Sequence, residues 1–159
     1  RTLTVNSMSK NMAMTGWRVG WLIGPTEFLE HAGKAARGST ACPNLPAQHA
    51  ALGALEDATG YPERMRTEYE QRRDVAVDLL RDAGLDLPAP EGAIYLFPDV
   101  GTDSWELCHG LVREGGVALI PGTPHGSASR TNVRLCFGSA GEAVLREGIE
   151  RLLAEIEDI

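Results

Sequence analysis

The stretch NSMSKNMAMTGWRVGW, Asn6 to Trp21, places one lysine and one arginine among hydroxyl side chains and glycines. It overlaps two short runs rich in apolar and β-branched residues, 2–8 (TLTVNSM) and 17–23 (WRVGWLI), and each run predicts a strand. A turn that carries Lys10 then joins the two strands. Such a segment is either a solvated polar hairpin or a socket for a phosphorylated ligand.

The spacing of the polar residues is compatible with a socket for a phosphorylated ligand. In a strand through residues 16–20, Gly16, Arg18 and Gly20 share one face, so a ligand can approach the arginine closely. A guanidinium donates two parallel hydrogen bonds to a phosphate, and Ser7 reaches the same phosphate if the two strands are neighbours. A lysine amine reacts with an aldehyde. This combination is what pyridoxal phosphate requires, although from the pattern alone two solvated cations remain the alternative.

Composition limits the class of protein. The chain has 159 residues, 43% of them hydrophobic and 23% charged, which is typical of a globular domain. The net charge of -7 and the dispersed arginines argue against nucleic-acid partners, and no apolar run reaches the roughly 20 residues of a membrane span. Three cysteines without metal-type spacing indicate free thiols, no metal and a reducing, cytoplasmic location. The start at RTLTV, inside a strand-like run, suggests a fragment of a longer protein.

The rest of the chain mixes helical and strand-like patterns. Helices are predicted over 27–37, 46–57, 62–83, 105–113 and 142–157, and the segment 38–44 (GSTACPN) is predicted to be a loop. Short strands are predicted over 85–87, 93–98, 117–120 and 132–137. This mixture indicates an α/β or α+β layer domain, with a domain boundary near residue 60.

Ser7-Met8-Ser9-Lys10 followed by Thr15-Gly16-Trp17-Arg18-Val19-Gly20 resembles the lysine-attachment motif of the class I/II aminotransferases. These are the aspartate aminotransferase-like group of the fold-type I pyridoxal phosphate enzymes, and every fixed position of S-x-S-K-x-x-x-x-x-G-x-R-x-G is present. The resemblance implies that Lys10 is the Schiff-base lysine and proton shuttle, and that Ser7 and Arg18 bind the cofactor phosphate. Gly16 and Gly20 would permit close approach, and Ser9 would either contact the phosphate or only shape the turn.

Three later segments are similar to the same family: Gly92-Ala93-Ile94-Tyr95, Gly116 to Thr123, and Asn132 to Gly138. The last of them implies that Arg134 binds the substrate α-carboxylate, with Arg130 as a competing candidate. His125 replaces an aromatic residue of the family pattern and is either a pocket residue or a loop histidine. Arg37 either binds a distal substrate carboxylate in a neighbouring subunit or only stabilises the end of its helix.

The resemblance implies an α/β fold, the C-terminal part of the fold-type I transferase fold. Residues 1–60 would be the end of the large cofactor-binding domain, and residues 61–159 a long interdomain helix with the small C-terminal domain. The implied function is transfer of an amino group between an L-amino acid and a 2-oxo acid by a longer, homodimeric parent in amino acid metabolism, the fragment alone being inactive. A lyase or decarboxylase of the same fold and a non-catalytic cofactor-binding regulatory domain remain as alternatives.

Overall fold

The computed structural model of the chain describes residues 2–57 and 60–157. It divides into two compact units, Arg1–Arg66 and Thr67–Ile159. The domain boundary near residue 60 remains a prediction, because a division by compactness does not identify the domains of a longer protein.

The first unit contains a two-stranded antiparallel sheet and three helices. Strands β1 (Thr4–Ser7) and β2 (Gly20–Ile23) pair with Thr4 opposite Ile23 and Ser7 opposite Gly20. The helices are α1 (Met8–Asn11), α2 (Thr26–Thr40) and α3 (Leu45–Glu56). The side chain of Asn44 begins α3 by accepting a hydrogen bond from the Ala47 amide at 2.8 Å.

Two predictions for this unit are wrong. The second strand begins at Gly20 instead of Trp17, because Thr15–Trp17 forms a 3-10 turn and Arg18 is left-handed. Helix α2 continues to Thr40, through the first half of the predicted loop. Its last turn is held by the hydroxyls of Ser39 and Thr40, which donate to the carbonyl of Ala36.

Apolar side chains of the first unit are mostly exposed. Its buried hydrophobic residues among those described are Met8, Ala47 and Ala51. Nine large hydrophobic residues are exposed: Leu3, Val5, Trp17, Trp21, Ile23, Phe28, Leu45, Leu52 and Leu55. Trp17 and Trp21 are therefore not core residues of the unit that the structure describes. An exposed apolar surface of this kind is characteristic of a face that contacts other protein.

The second unit contains most of the long helix α4 (Tyr61–Asp82), a three-stranded antiparallel sheet and two further helices. The sheet has the order β3 (Tyr95–Leu96), β5 (Val133–Cys136), β4 (Ile120–Pro121). The helices are α5 (Ser104–Gly110), followed by a π-helical turn at Leu111–Gly115, and α6 (Glu142–Glu157).

One hydrophobic core holds the second unit together. Helix α6 contributes Leu145, Ile149 and Leu152, at the spacing of one helical face. Helix α4 contributes Ala76, Val77 and Leu80, and the sheet, α5 and the loops supply Leu87, Leu96, Val100, Leu107, Cys108, Leu111, Val133, Leu135 and Phe137. Because β5 buries alternate residues here, its other residues, including Arg134, lie on the opposite face.

The predicted strands of the second unit are shorter in the structure. The predicted strand 85–87 is absent from the part of the chain that the structure describes, 93–98 shortens to β3, and 117–120 overlaps β4 only at Ile120. The predicted helix 105–113 is α-helical only to Gly110. Beyond β3 the alternating burial continues, since Leu96, Pro98 and Val100 are buried, and the pairing with the chain around β5 continues as a single bridge between Asp99 and Asn132.

Gly122 follows β4 at a crowded point. Its amide donates to the carbonyl of Asn132 at 2.7 Å and to the Ser104 hydroxyl at 3.1 Å. A Cβ atom there would lie against the carbonyl of Ser129 and 2.6 Å from that of Asn132. Both are backbone atoms, so we expect Gly122→Ala to lower the free energy of unfolding by about 3 kcal/mol. Urea denaturation measures this change.

Gly148 provides the matched control for that substitution. It lies within α6, and a Cβ atom there would meet nothing within 4 Å. Alanine has the higher helix propensity, so Gly148→Ala should raise the free energy of unfolding by about 0.5–1 kcal/mol. Equal effects of the two substitutions would show that the close approach at Gly122 does not constrain the fold.

Candidate functional site

Lys10 and Arg18 lie at the same end of the β1–β2 hairpin. The pair Ser7–Gly20 closes the ladder, and the amide of Met8 donates to the carbonyl of Val19 at 3.3 Å just beyond it. The side chain of Met8 is 1% exposed and anchors the connection. The two strands are therefore neighbours, and the segment 8–19 that carries both cations is one compact connection.

Lys10 lies in a short helix and not in the predicted turn. Ser7 is the N-cap of α1, and its Oγ accepts a hydrogen bond from the Ser9 amide at 3.3 Å. An N-cap serine provides a hydrogen-bond acceptor for an amide of the first helical turn, and this favours the start of a helix directly after β1. A hydroxyl that accepts one bond keeps its proton for donation, so the capping role of Ser7 is compatible with binding an anion.

Arg18 has a left-handed backbone conformation, with φ 52° and ψ 48°. A residue other than glycine in this region costs about 1–2 kcal/mol, and such strain is often found at functional sites. The Arg18 guanidinium donates from one NH group to the carbonyl of Thr15 at 3.0 Å. It forms no ion pair with any residue that the structure describes.

The predicted common face of Gly16, Arg18 and Gly20 is wrong, because residues 15–18 are not a strand. The two glycines also differ in their surroundings. A Cβ atom on Gly20 would lie 2.6 Å from the carbonyl of Asn6, so Gly20 permits the strands to pair. A Cβ atom on Gly16 would meet nothing within 4 Å, so the space beside Gly16 is open.

The charge of this segment differs from that of the whole chain. Residues 2–26 contain Lys10 and Arg18 but no aspartate or glutamate, and the first acidic residue is Glu27. The chain as a whole has 22 acidic and 15 basic residues. The β1–β2 connection is therefore a local cationic segment in an acidic protein, and it can attract an anion despite the net charge.

Arg134 lies in the central strand of the three-stranded sheet, on the face opposite the core. Tyr95 pairs with Cys136, and the same register continues to the bridge between Asp99 and Asn132. It places Phe97 directly opposite Arg134 on one side, and Ile120 of β4 is opposite on the other. We call this surface, formed by Tyr95, Phe97, Ile120, Asn132, Arg134 and Cys136, the open face of the sheet.

Arg130, the competing candidate, has a structural partner. Its Nε and one terminal NH group both donate to Asp103 Oδ2 at 2.8 Å. Asp103 also caps α5 by accepting from the Trp105 amide at 2.9 Å. The Arg130 hydrogen bond, together with that amide, lowers the pKa of Asp103 below its ordinary value. Arg134 forms no ion pair with the residues described, so of the two arginines it is the one available to a carboxylate.

His125 and Arg37 are both exposed. The His125 ring meets the Phe97 ring edge-on, with the centroids 5.7 Å apart, which places the histidine at the rim of the open face. Arg37 lies in the last turn of α2, where a cation interacts favourably with the helix dipole. The position of Arg37 is the one expected if it only stabilises the end of its helix. For His125, a role in the pocket and a role as a loop histidine both stay predictions.

The second unit has a cavity of about 240 Å³, and none of the candidate cofactor- or substrate-binding residues lines it. That cavity lies between the segment 116–119 and α6, and Leu135 and Cys136 form part of its wall. Over residues 2–57 and 60–157, no cluster of three or more potential metal ligands occurs, and no helix is both long and apolar enough to cross a membrane.

Two features of the candidate sites were not predicted from the sequence. The left-handed conformation of Arg18 has no sequence signal, because glycine is the residue that normally indicates it. The other feature is Tyr95, whose ring lies 4.8 Å from the Arg134 guanidinium carbon. Tyr95 is part of the segment Gly92-Ala93-Ile94-Tyr95, and strand pairing with 132–137 would have brought the two residues together.

Comparisons with known proteins identify the family of the chain. The family profile "Aminotransferase class I and II" matches residues 1–152. A probable N-acetyl-LL-diaminopimelate aminotransferase of Bacillus subtilis is 36% identical over 155 residues, covering 96% of this chain and 39% of the relative. An aspartate aminotransferase of Pyrococcus abyssi is 38% identical over 157 residues, covering 96% of this chain and 40% of the relative.

Solved structures give the same result. An aromatic aminotransferase from Pyrococcus horikoshii aligns with a TM-score of 0.86 at 36% identity, covering 99% of this chain and 43% of that one. An aminotransferase from Mycobacterium tuberculosis aligns with a TM-score of 0.85 at 32% identity. The chain spans about two fifths of the length of the curated relatives it matches. On the family match and these similarities, the chain belongs to the class I and II aminotransferases and has part of their mixed α/β fold.

Proposed function

We propose that this chain is the C-terminal part of a longer pyridoxal phosphate-dependent aminotransferase, and that the longer protein transfers an amino group between an L-amino acid and a 2-oxo acid. The observation that carries the proposal is the acid-free connection that holds Lys10 and Arg18 at one end of a hairpin. The exposed apolar surface of the first unit supports a longer protein, because such surfaces are normally covered. We further propose a cytoplasmic homodimer.

The residues of the connection fit the cofactor by their chemistry. Pyridoxal phosphate carries one aldehyde and one phosphate, and the connection offers one amine, two serine hydroxyls and one guanidinium. The side of Gly16 is open, and no carboxylate among residues 2–26 would repel the phosphate. We assign Lys10 to the aldehyde, Ser7 and Arg18 to the phosphate, and Ser9 and Gly16 to its immediate surroundings.

When bound, pyridoxal phosphate supplies an electron sink that stabilises negative charge at the substrate Cα. The amine of Lys10 then has two tasks, to hold the cofactor covalently and to move the proton of the substrate Cα as a general base and acid. Ser7 and Arg18 hold the phosphate, so that the ring stays in place whenever Lys10 Nζ is not bonded to it. The strand pairing holds Ser7 at the end of the hairpin, and the Thr15 carbonyl accepts a hydrogen bond from one NH group of Arg18.

Arg134 has the separate role of orienting the substrate. Every amino acid and 2-oxo acid carries a carboxylate next to the reacting carbon, and the planar guanidinium matches it with two parallel hydrogen bonds. Fixing the carboxylate limits the orientations of the Cα–H bond and so selects the bond that breaks. We propose that this arginine binds the amino acid and the 2-oxo acid in turn, because both substrates carry the same group.

The proposal is tested on the full-length protein that contains this chain. With pyridoxal phosphate present, it should convert a 2-oxo acid to its amino acid at the expense of a second amino acid, which product analysis by mass spectrometry follows. Release of carbon dioxide or ammonia in place of transfer would identify the lyase or decarboxylase alternative. Binding of the cofactor without turnover of any amino acid would favour the regulatory domain.

Arg18→Gly separates the strain at Arg18 from its function. Glycine adopts the left-handed conformation freely, so the variant should be at least as stable as the parent. It also loses a charge-assisted contact to phosphate, so its affinity for pyridoxal phosphate should fall roughly ten- to hundred-fold. Equilibrium dialysis against the cofactor measures the affinity, and thermal unfolding measures the stability.

Ala13→Gly is the control for Arg18→Gly. Ala13 lies in the same connection and has a similar backbone conformation, with φ 50°. Its replacement relieves the same kind of strain without removing a polar group, so the cofactor affinity should not change. If both variants lost affinity equally, the shape of the connection, and not the guanidinium, would hold the phosphate.

A further inference from the structure

The contact between Tyr95 and Arg134 joins two strands across the open face. Tyr95 is opposite Cys136, so Arg134 lies diagonally across from it on the same side of the sheet. The Arg134 guanidinium carbon is 4.8 Å from the centroid of the Tyr95 ring, well within the roughly 6 Å limit of a cation–π contact. Two other arginine–tyrosine pairs, Arg64–Tyr61 and Arg72–Tyr69, are at 5.9 Å, close to that limit.

Most other arginines of this unit with a described contact are held in a different way. Arg72, Arg73, Arg130, Arg146 and Arg151 pair with carboxylates, and Arg81 donates twice to the carbonyl of Leu87. Such partners neutralise the charge or occupy the NH donors. An aromatic face does neither, because it attracts the cation through the ring quadrupole. A guanidinium held only by a ring keeps its full charge and its donors for a ligand.

We propose that Tyr95 is a positioning residue that holds the Arg134 guanidinium ready for the substrate carboxylate. The proposal rests on the proposed function of Arg134. A free arginine side chain has about 2 kcal/mol of rotamer entropy to lose on binding. The ring of Tyr95 restricts the guanidinium before the substrate arrives, so less of this entropy is lost when the carboxylate binds. Tyr95 touches the arginine and acts on the substrate through it.

The test compares Tyr95→Leu with Tyr95→Phe in the full-length protein. Leucine removes the aromatic face, so the KM for the amino acid and for the 2-oxo acid should rise roughly three- to thirty-fold with kcat unchanged. Phenylalanine keeps an aromatic face, so Tyr95→Phe should restore both KM values to within about two-fold of the parent. A Tyr95→Leu variant with unchanged KM values, or a Tyr95→Phe variant as impaired as it, would overturn the proposal.

Tyr69→Leu is the matched structural control. It also removes a tyrosine that faces an arginine, Arg72, and that packs against the core, so it should lower the unfolding temperature without raising either KM. A KM increase in both leucine variants would mean that KM reports general loosening of the unit, and this too would overturn the proposal.

A binding measurement distinguishes failure of this proposal from failure of the proposed function. Propionate has the carboxylate but neither an amine nor a ketone, so its affinity, measured by NMR titration, reports carboxylate binding without turnover. Weaker propionate binding by Tyr95→Leu, restored in Tyr95→Phe, supports the positioning role even if no amino group is transferred. Full transaminase activity with equal propionate binding by all three proteins would leave the proposed function intact and reject the role of Tyr95.

Discussion

Lys10→Ala should reduce transamination by the full-length protein by about four orders of magnitude, through loss of the covalent attachment and of the proton transfer. Alanine removes the amine that we assign to the cofactor aldehyde, and a water molecule is a weak substitute for a positioned base. The helix α1 should persist, because its cap is Ser7. The rate of product formation at saturating cofactor and substrates measures the change.

The sequence offers an unusually clear control for this experiment, since Lys34 is its second and last lysine. Lys34 lies on an exposed turn of α2, so Lys34→Ala should keep the parent rate. Borohydride reduction of the loaded protein, followed by peptide mass analysis, should place the cofactor on the peptide that contains Lys10. A label on Lys34, or on neither peptide of this chain, would contradict the assignment even if the rate of Lys10→Ala were low.

The longer helices were predictable because their signals are local. Helix α6 matches its predicted range, 142–157, since an apolar face at helical spacing continues for four turns. The strands β3 and β4 have two residues each and depend on pairing with β5, a contact distant in sequence. A pattern of alternating residues predicts which face is buried, as it does for Val133 and Leu135, but not how far a ladder extends.

The candidate sites were predictable in composition but not in geometry. The spacing of Ser7, Lys10 and Arg18 left a phosphate site and a solvated hairpin as alternatives, and the structure places all three residues at one end of the hairpin. The prediction of a strand over residues 16–20 was wrong, because an alternation of residue types over five positions cannot distinguish a strand from a turn. Arg18 reaches its position through a left-handed residue, which depends on the surrounding contacts and has no signature in the sequence.

Arg134→Gln should lower kcat/KM of the full-length protein about a thousand-fold for the amino acid and for the 2-oxo acid, because two charge-assisted hydrogen bonds are lost. Arg134→Lys keeps the charge but loses the planar fork, so it should raise both KM values roughly ten- to hundred-fold. Neither change removes a core side chain, since Arg134 lies on the open face and the adjacent Val133 and Leu135 fill the core. Steady-state kinetics with each substrate varied in turn measure both effects.

Arg130→Gln tests whether the effect belongs to Arg134 or to any nearby positive charge. Arg130 lies four residues earlier, but its guanidinium is bound to Asp103, and an exposed pair of this kind adds little to stability. Its loss should therefore leave both KM values unchanged, while the pKa of Asp103 returns toward its ordinary value. If Arg130→Gln raised the KM values as Arg134→Gln does, long-range attraction of anionic substrates would explain both results. Bidentate recognition would be rejected, because it requires one guanidinium in contact with the carboxylate and makes the two arginines unequal.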